Sequence, residues 1–145
     1  MTTLHGTLLW LIDDGATADD LGEIQRRLGE LLRWHAHVGL MVVVGEGPWI
    51  PDGASRQRTT QLLRELHDEF AFVAVVFEGH GLRVALLRAF LRALTAPIRR
   101  PFPLRVFENV DEATLWASAQ THDAEGRAVP PQRLGALLQS LRPIA

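Results

Sequence analysis

Three short apolar runs in this chain end in acidic residues. Thr7 to Ile12 leads into Asp13-Asp14-Gly15, Val38 to Val44 into Gly45-Glu46-Gly47-Pro48, and Phe72 to Phe77 into Glu78-Gly79-His80-Gly81. If the runs are parallel strands, Asp13, Asp14, Glu46, Glu78 and His80 fall along one sheet edge, where open α/β sheets bind ligands. Oxygen donors grouped in this way suit Mg²⁺ or Ca²⁺. Trp49, beside Ile50 in a Gly- and Pro-bounded loop, supplies an aromatic wall for a ligand or an anchor for a partner. The competing explanation is conformational, because turns select acids and glycine for backbone reasons alone. That explanation is preferred, so the expectation is a chain without metal or other cofactor.

The remaining reactive types are scattered. His35-Ala36-His37 places two imidazoles on one side of an extended segment, but no third ligand follows at a supporting spacing. His35 is instead expected to complete an apolar helix face. No serine lies in a Gly-x-Ser-x-Gly elbow, and nucleophile, base and orienting residue nowhere share a recognisable spacing. Ser55 stands near a helix start, where it serves as an N-cap or, if phosphorylated, gains from free backbone N–H groups, Arg56 and Arg58. Asp13-Asp14 after a first strand also resembles a response-regulator receiver. A working receiver needs an acceptor aspartate after a central strand and a lysine after the last, and here Glu46, Glu78 and no lysine at all are found. Only a degenerate receiver-like domain fits that pattern.

Composition narrows the chemistry further. All fifteen basic residues are arginine, which removes Schiff-base lysines and the phosphate-gripping lysine of a P-loop. Arginine without lysine points to codon usage in a GC-rich bacterial genome. The absence of cysteine removes thiol catalysis, thiolate metal sites and disulfides. A net charge of -2 gives no nucleic-acid footprint. The N-terminus lacks the pattern of a signal peptide and no apolar run reaches the ~20 residues of a membrane span, so a cytoplasmic protein without a transmembrane segment is expected.

The elements that would position these residues follow from apolar periodicity. Thr7 to Ile12, Val38 to Val44, Phe72 to Phe77 and Leu104 to Phe107 predict strands, the third of them at the sheet centre. Thr17 caps a helix whose first turn carries Asp19 and Asp20 and whose apolar face runs Leu21, Ile24, Leu28, Leu31, Leu32 and His35. Further helices are predicted from near Ser55 to Phe70, over Leu82 to Thr95, and over Asp111 to Ala119. Alternation of strand and helix implies one α/β domain over residues 1–120, with a mostly parallel or mixed sheet of four to five strands flanked by helices. A linker over 121–131 leads to a tail helix over 132–142, too short to stand alone in water, which must dock on this domain or on a partner.

The element order, the strand Val-Phe-Glu-Gly-His-Gly before an apolar helix, and Pro101-Phe102-Pro103-Leu104-Arg105-Val106-Phe107-Glu108-Asn109-Val110-Asp111-Glu112-Ala113 resemble the STAS-like domains. That group includes anti-sigma-factor antagonists and the cytoplasmic domains of sulfate transporters. The resemblance covers roughly residues 7 to 119. It implies a mixed sheet flanked by helices, no enzymatic activity, and function through docking of partner proteins. In the antagonists, a serine or threonine at the start of the helix after the second long strand is phosphorylated within an Asp-Ser-Ser-Gly-like turn. The matching segment here is Pro51-Asp52-Gly53-Ala54-Ser55, which is longer and departs from that motif.

The expectation is therefore a non-catalytic interaction or regulatory module, with a protein partner that includes a second copy of itself. Binding of a small molecule or lipid at the strand C-termini is the alternative. The Leu82 to Thr95 helix is apolar nearly all round. Leu82, Ala85, Leu86, Ala89, Phe90 and Ala93 are expected to face the sheet. Leu87, Leu91 and Leu94 would then meet a second subunit or the tail helix, with Arg88 and Arg92 at the rim.

Overall fold

The structure, a computed structural model, describes residues 1–12, 16–45, 52–78, 81–96 and 102–142, without the side chains of residues 83, 94 and 95. In chain order these residues form β1 (Thr2–Leu4), β2 (Thr7–Ile12), α1 (Ala18–Leu31), β3 (Val38–Val44), α2 (Gly53–Leu66), β4 (Phe70–Phe77), α3 (Leu82–Thr95), β5 (Leu104–Phe107), α4 (Val110–Gln120) and α5 (Pro131–Leu141). The sheet order is β1-β2-β3-β4-β5. β1 pairs antiparallel with β2 and every later neighbour is parallel. The α/β architecture, a mixed sheet flanked by helices and followed by a tail helix, is the one the sequence predicts.

Local chemistry sets the element ends. Thr17 Oγ1 accepts from the Asp20 N–H at 3.2 Å while Asp20 Oδ2 accepts from the Thr17 N–H at 2.9 Å, a reciprocal cap that starts α1. Asn109 Oδ1 accepts from the Glu112 N–H at 2.8 Å and starts α4. The fifth strand, β1, rests on the two-residue turn His5-Gly6, where φ is 44° and 80°. Both signs are those of a type I′ turn, whose twist matches the flanking strands. Glycine takes the second position without a Cβ penalty.

The strand order explains which face each helix covers. Each crossover from β2 to β5 moves one strand further in the same direction, and crossovers of one hand then place their helices on one face. α1, α2 and α3 accordingly share a core with Leu8, Trp10, Val42, Val75 and Phe77. After β5 the chain returns across the opposite face, where α4 and α5 pack on Leu9, Met41, Val43, Phe72 and Val76. Strands covered on both faces have no alternation to show, which is why β3 is buried throughout.

The middle of the sheet is β3, one strand away from the expected Phe72–Phe77 run. Both strands are apolar and β-branched, and composition carries no information about lateral order. Gly39 in β3 is fixed by a neighbour: a Cβ there would lie 2.3 Å from Phe72 Cε1 and 2.7 Å from Thr7 Oγ1. The Phe72 ring occupies the space that Gly39 leaves and meets Trp116 edge to face at 5.6 Å.

The tail helix packs in cis. Leu134 and Leu138 are buried in the core under α4 and α5, and the 121–131 segment contributes Val129 to the same core. Thr121 closes this layer, its hydroxyl donating to the Ala117 carbonyl at 2.9 Å and lying 3.1 Å from Thr7 Oγ1.

Candidate functional site

Of the strand-end group, Glu78 is placed and Asp13, Asp14, Glu46, Trp49 and His80 lie outside the described residues. Glu78 Oε1 accepts from Arg142 Nη2 at 2.9 Å, so the end of the tail segment already occupies this carboxylate. Ligand crevices in open sheets arise where the strand order reverses and successive helices part to opposite faces. The order from β2 to β5 never reverses. Among the described residues, no three His, Asp or Glu side chains come together in a manner that could hold a metal ion. No described helix is long and apolar enough to cross a membrane.

Ser55 is neither the cap nor an accessible hydroxyl. The N-cap of α2 is Asp52, whose Oδ1 accepts from the Ser55 N–H at 2.7 Å. Ser55 is 1% exposed, and its Oγ donates to the Ala16 carbonyl at 3.1 Å, tying the start of α2 to the start of α1. A kinase has no approach to this oxygen, which corrects the expected phosphosite. Asp52 bears the electrostatic consequence of capping. The backbone N–H of Ser55 holds its carboxyl below the ordinary carboxylate range.

His35 is also displaced from its expected role. α1 ends at Leu31, and His35 lies exposed in the following segment, its ring placed against Gly6.

α3 is rotated relative to the expectation. Val84 and Leu87 are buried and Leu91 packs beside them against the sheet, so Leu87 and Leu91 serve the core and are not an outward interface. Leu82 and Leu86 instead point outward, 76% and 60% exposed, along with Ala85, Ala89 and Ala93. Arg88 reaches Glu108 past the end of β5, with 3.5 Å between Nη2 and Oε1, and Arg92 is exposed. α5 lies on the opposite face of the sheet and covers no part of α3. The side chain of Leu94 is outside the described set.

A gap lies beneath α3. On the α4 side, small Ala113 and Ala117 face the sheet and let the helix backbone approach β4 closely. On the α3 side, a cavity of about 110 Å³ lies between α1, α2, α3 and the facing side of β2, β3, β4 and the start of β5. Trp10, Val42, Leu63, Val75, Leu87 and Leu91 are among its walls. Apolar runs and helix faces mark Trp10, Val42, Leu63 and Val75 as core, whereas Leu87 and Leu91 are expected on the outer face of α3. Periodicity carries no signal for unfilled volume, which depends on how far apart the layers settle.

Family models, curated proteins and solved structures yield no significant match to this chain. The class defined by the fold is an α/β domain whose parallel strands follow one another in chain order beside an antiparallel N-terminal strand. On this chain an exposed apolar stripe of α3 lies above a cavity.

Proposed function

We propose that this protein is a non-catalytic interaction and regulatory module of the kind the STAS-like resemblance implies, and that it acts as a homodimer through α3. The observation that carries this reading is the exposed stripe Leu82, Ala85, Leu86, Ala89 and Ala93. Residues spaced by three, four and seven lie on one helix face, and an apolar patch of this kind marks a contact surface. Its pattern is self-complementary. In an antiparallel pairing of two α3 helices about a two-fold near Leu87 and Arg88, Leu82 meets Ala93 of the second copy and Leu86 meets Ala89. Large residues thus oppose small ones throughout, as close packing at an isologous interface requires. The mixed sheet with helices on both faces is in keeping with the same family resemblance.

Light scattering over a concentration series tests this reading. The intact protein is expected to dimerise, and Leu82→Glu with Leu86→Glu is expected to give a monomer with an unchanged melting temperature. Leu87→Glu, by contrast, puts a charge into the core and should unfold the domain. A protein monomeric at every accessible concentration overturns the homodimer.

A further inference from the structure

We infer that the cavity beneath α3 is a binding site for a small apolar molecule, of the size of an aromatic ring or a short branched alkyl group. This site is distinct from the α3 outer face, and it does not depend on whether the protein dimerises.

The volume, about 110 Å³, approaches that of engineered apolar cavities of ~150 Å³ that stay dry and take up benzene or xenon. The chemistry of the walls selects the same class. Polar side-chain atoms come only from Trp10 and Thr59 among the lining residues. The Thr59 hydroxyl is committed, donating to the Ser55 carbonyl at 2.7 Å. An ordered water takes roughly two to four polar partners, which this space does not offer. Ions and polar metabolites are excluded on the same ground, since each would leave its own hydrogen-bonding groups unpaired. A ligand of ~300 Å³ or more, the usual scale of metabolite pockets, exceeds the space. An apolar guest loses nothing by leaving water and regains the dispersion contacts that the walls lack.

Location favours entry as well. α2 and α3 make only slight contact with each other, and Phe90 and Leu91 of α3 line the cavity while remaining part-exposed. A path between these two helices therefore requires side-chain movement and no unfolding of the sheet.

Benzene is the probe, added to the full chain while melting temperature and methyl resonances are followed. The expected result is a saturable rise in melting temperature, with shifts at the methyls of Val42, Val75 and Leu87 and none at Val43, Val76 and Leu134 on the opposite face. Val42→Phe, which fills the space from the middle strand, should abolish the rise. Because that variant can fail to fold, the methyl pattern of the unmodified protein decides by itself. Shifts absent from both faces, or equal on the two, overturn the site, as does a rise undiminished in a folded Val42→Phe protein.

Discussion

Arg142, immediately after the tail helix, donates from Nη2 to Oε1 of Glu78 at the C-terminal end of β4, 2.9 Å away and 64 residues earlier in the chain. Both side chains are about one-third exposed or less, 33% for Arg142 and 27% for Glu78. The contact joins the strand edge expected to bind a ligand to the segment expected to dock in cis or in trans.

The apolar contacts of α5 outweigh this ion pair. Arg142→Ala should cost no more than about 1 kcal/mol, in the range of partly exposed pairs. Removal of residues 131–145 uncovers the core around Leu134 and Leu138, and should leave a protein that is insoluble or binds a hydrophobic dye. A cooperative, dye-negative melt of the truncated chain would show that α5 is dispensable.

Gly39→Ala should destabilise the domain by about 1–3 kcal/mol, the usual cost of overpacking. The added Cβ overlaps the Phe72 ring and meets Thr7 Oγ1, while Trp116 packs edge to face on the same ring. Phe72→Leu in the same chain should recover part of the loss in a denaturant titration, because the two changes share one volume.

Thr121 gives its only proton to the Ala117 carbonyl, so Thr7 is the donor in the buried pair at 3.1 Å. Thr121→Val therefore leaves the Thr7 hydroxyl without its acceptor and should cost about 1–3 kcal/mol. Adding Thr7→Val removes that stranded donor. The double variant should be less destabilised than the sum of the single changes, and chemical denaturation of the four proteins in the cycle measures the coupling.

Acid should weaken the fold through carboxylates that accept hydrogen bonds in a cap, a turn and a helix ion pair. The carboxyls of Asp52 and Asp123 lie below their ordinary value of 3.8, chiefly through the backbone N–H groups of Ser55 and Arg127 respectively. Glu23 is lowered from 4.5 to about 2 by hydrogen bonds from Arg26 and then Arg27. A group depressed in the folded state binds its proton less readily there than in the unfolded chain. Its contribution is complete above the unfolded pKa and disappears as pH falls through the folded one. Melting temperature should therefore hold from pH 7 to about 5 and fall between about 4.5 and 2. Asp52→Asn keeps a capping oxygen and removes the titration, so it should flatten the acid limb. An unchanged slope would assign the acid loss to other groups.

The sequence by itself determined most of the elements. The apolar runs of β2 and β3, the Thr17 and Asp20 cap of α1, and the acids that open α4 act within a few residues of one another, so their effects are written in local order. The capping roles near α2 were half legible: an oxygen-bearing residue was needed, and only the backbone geometry assigned that task to Asp52 and buried Ser55 against Ala16. The orientation of α3 was decided by tertiary structure alone. A helix apolar nearly all round has no phase in its pattern, and packing against the sheet selected Val84 and Leu87 over Leu82 and Leu86. The same holds for the order of β3 and β4, for the return of α5 to the opposite face, and for the cavity. Each depends on which distant surfaces meet and how closely they approach, and no short-range spacing encodes that distance.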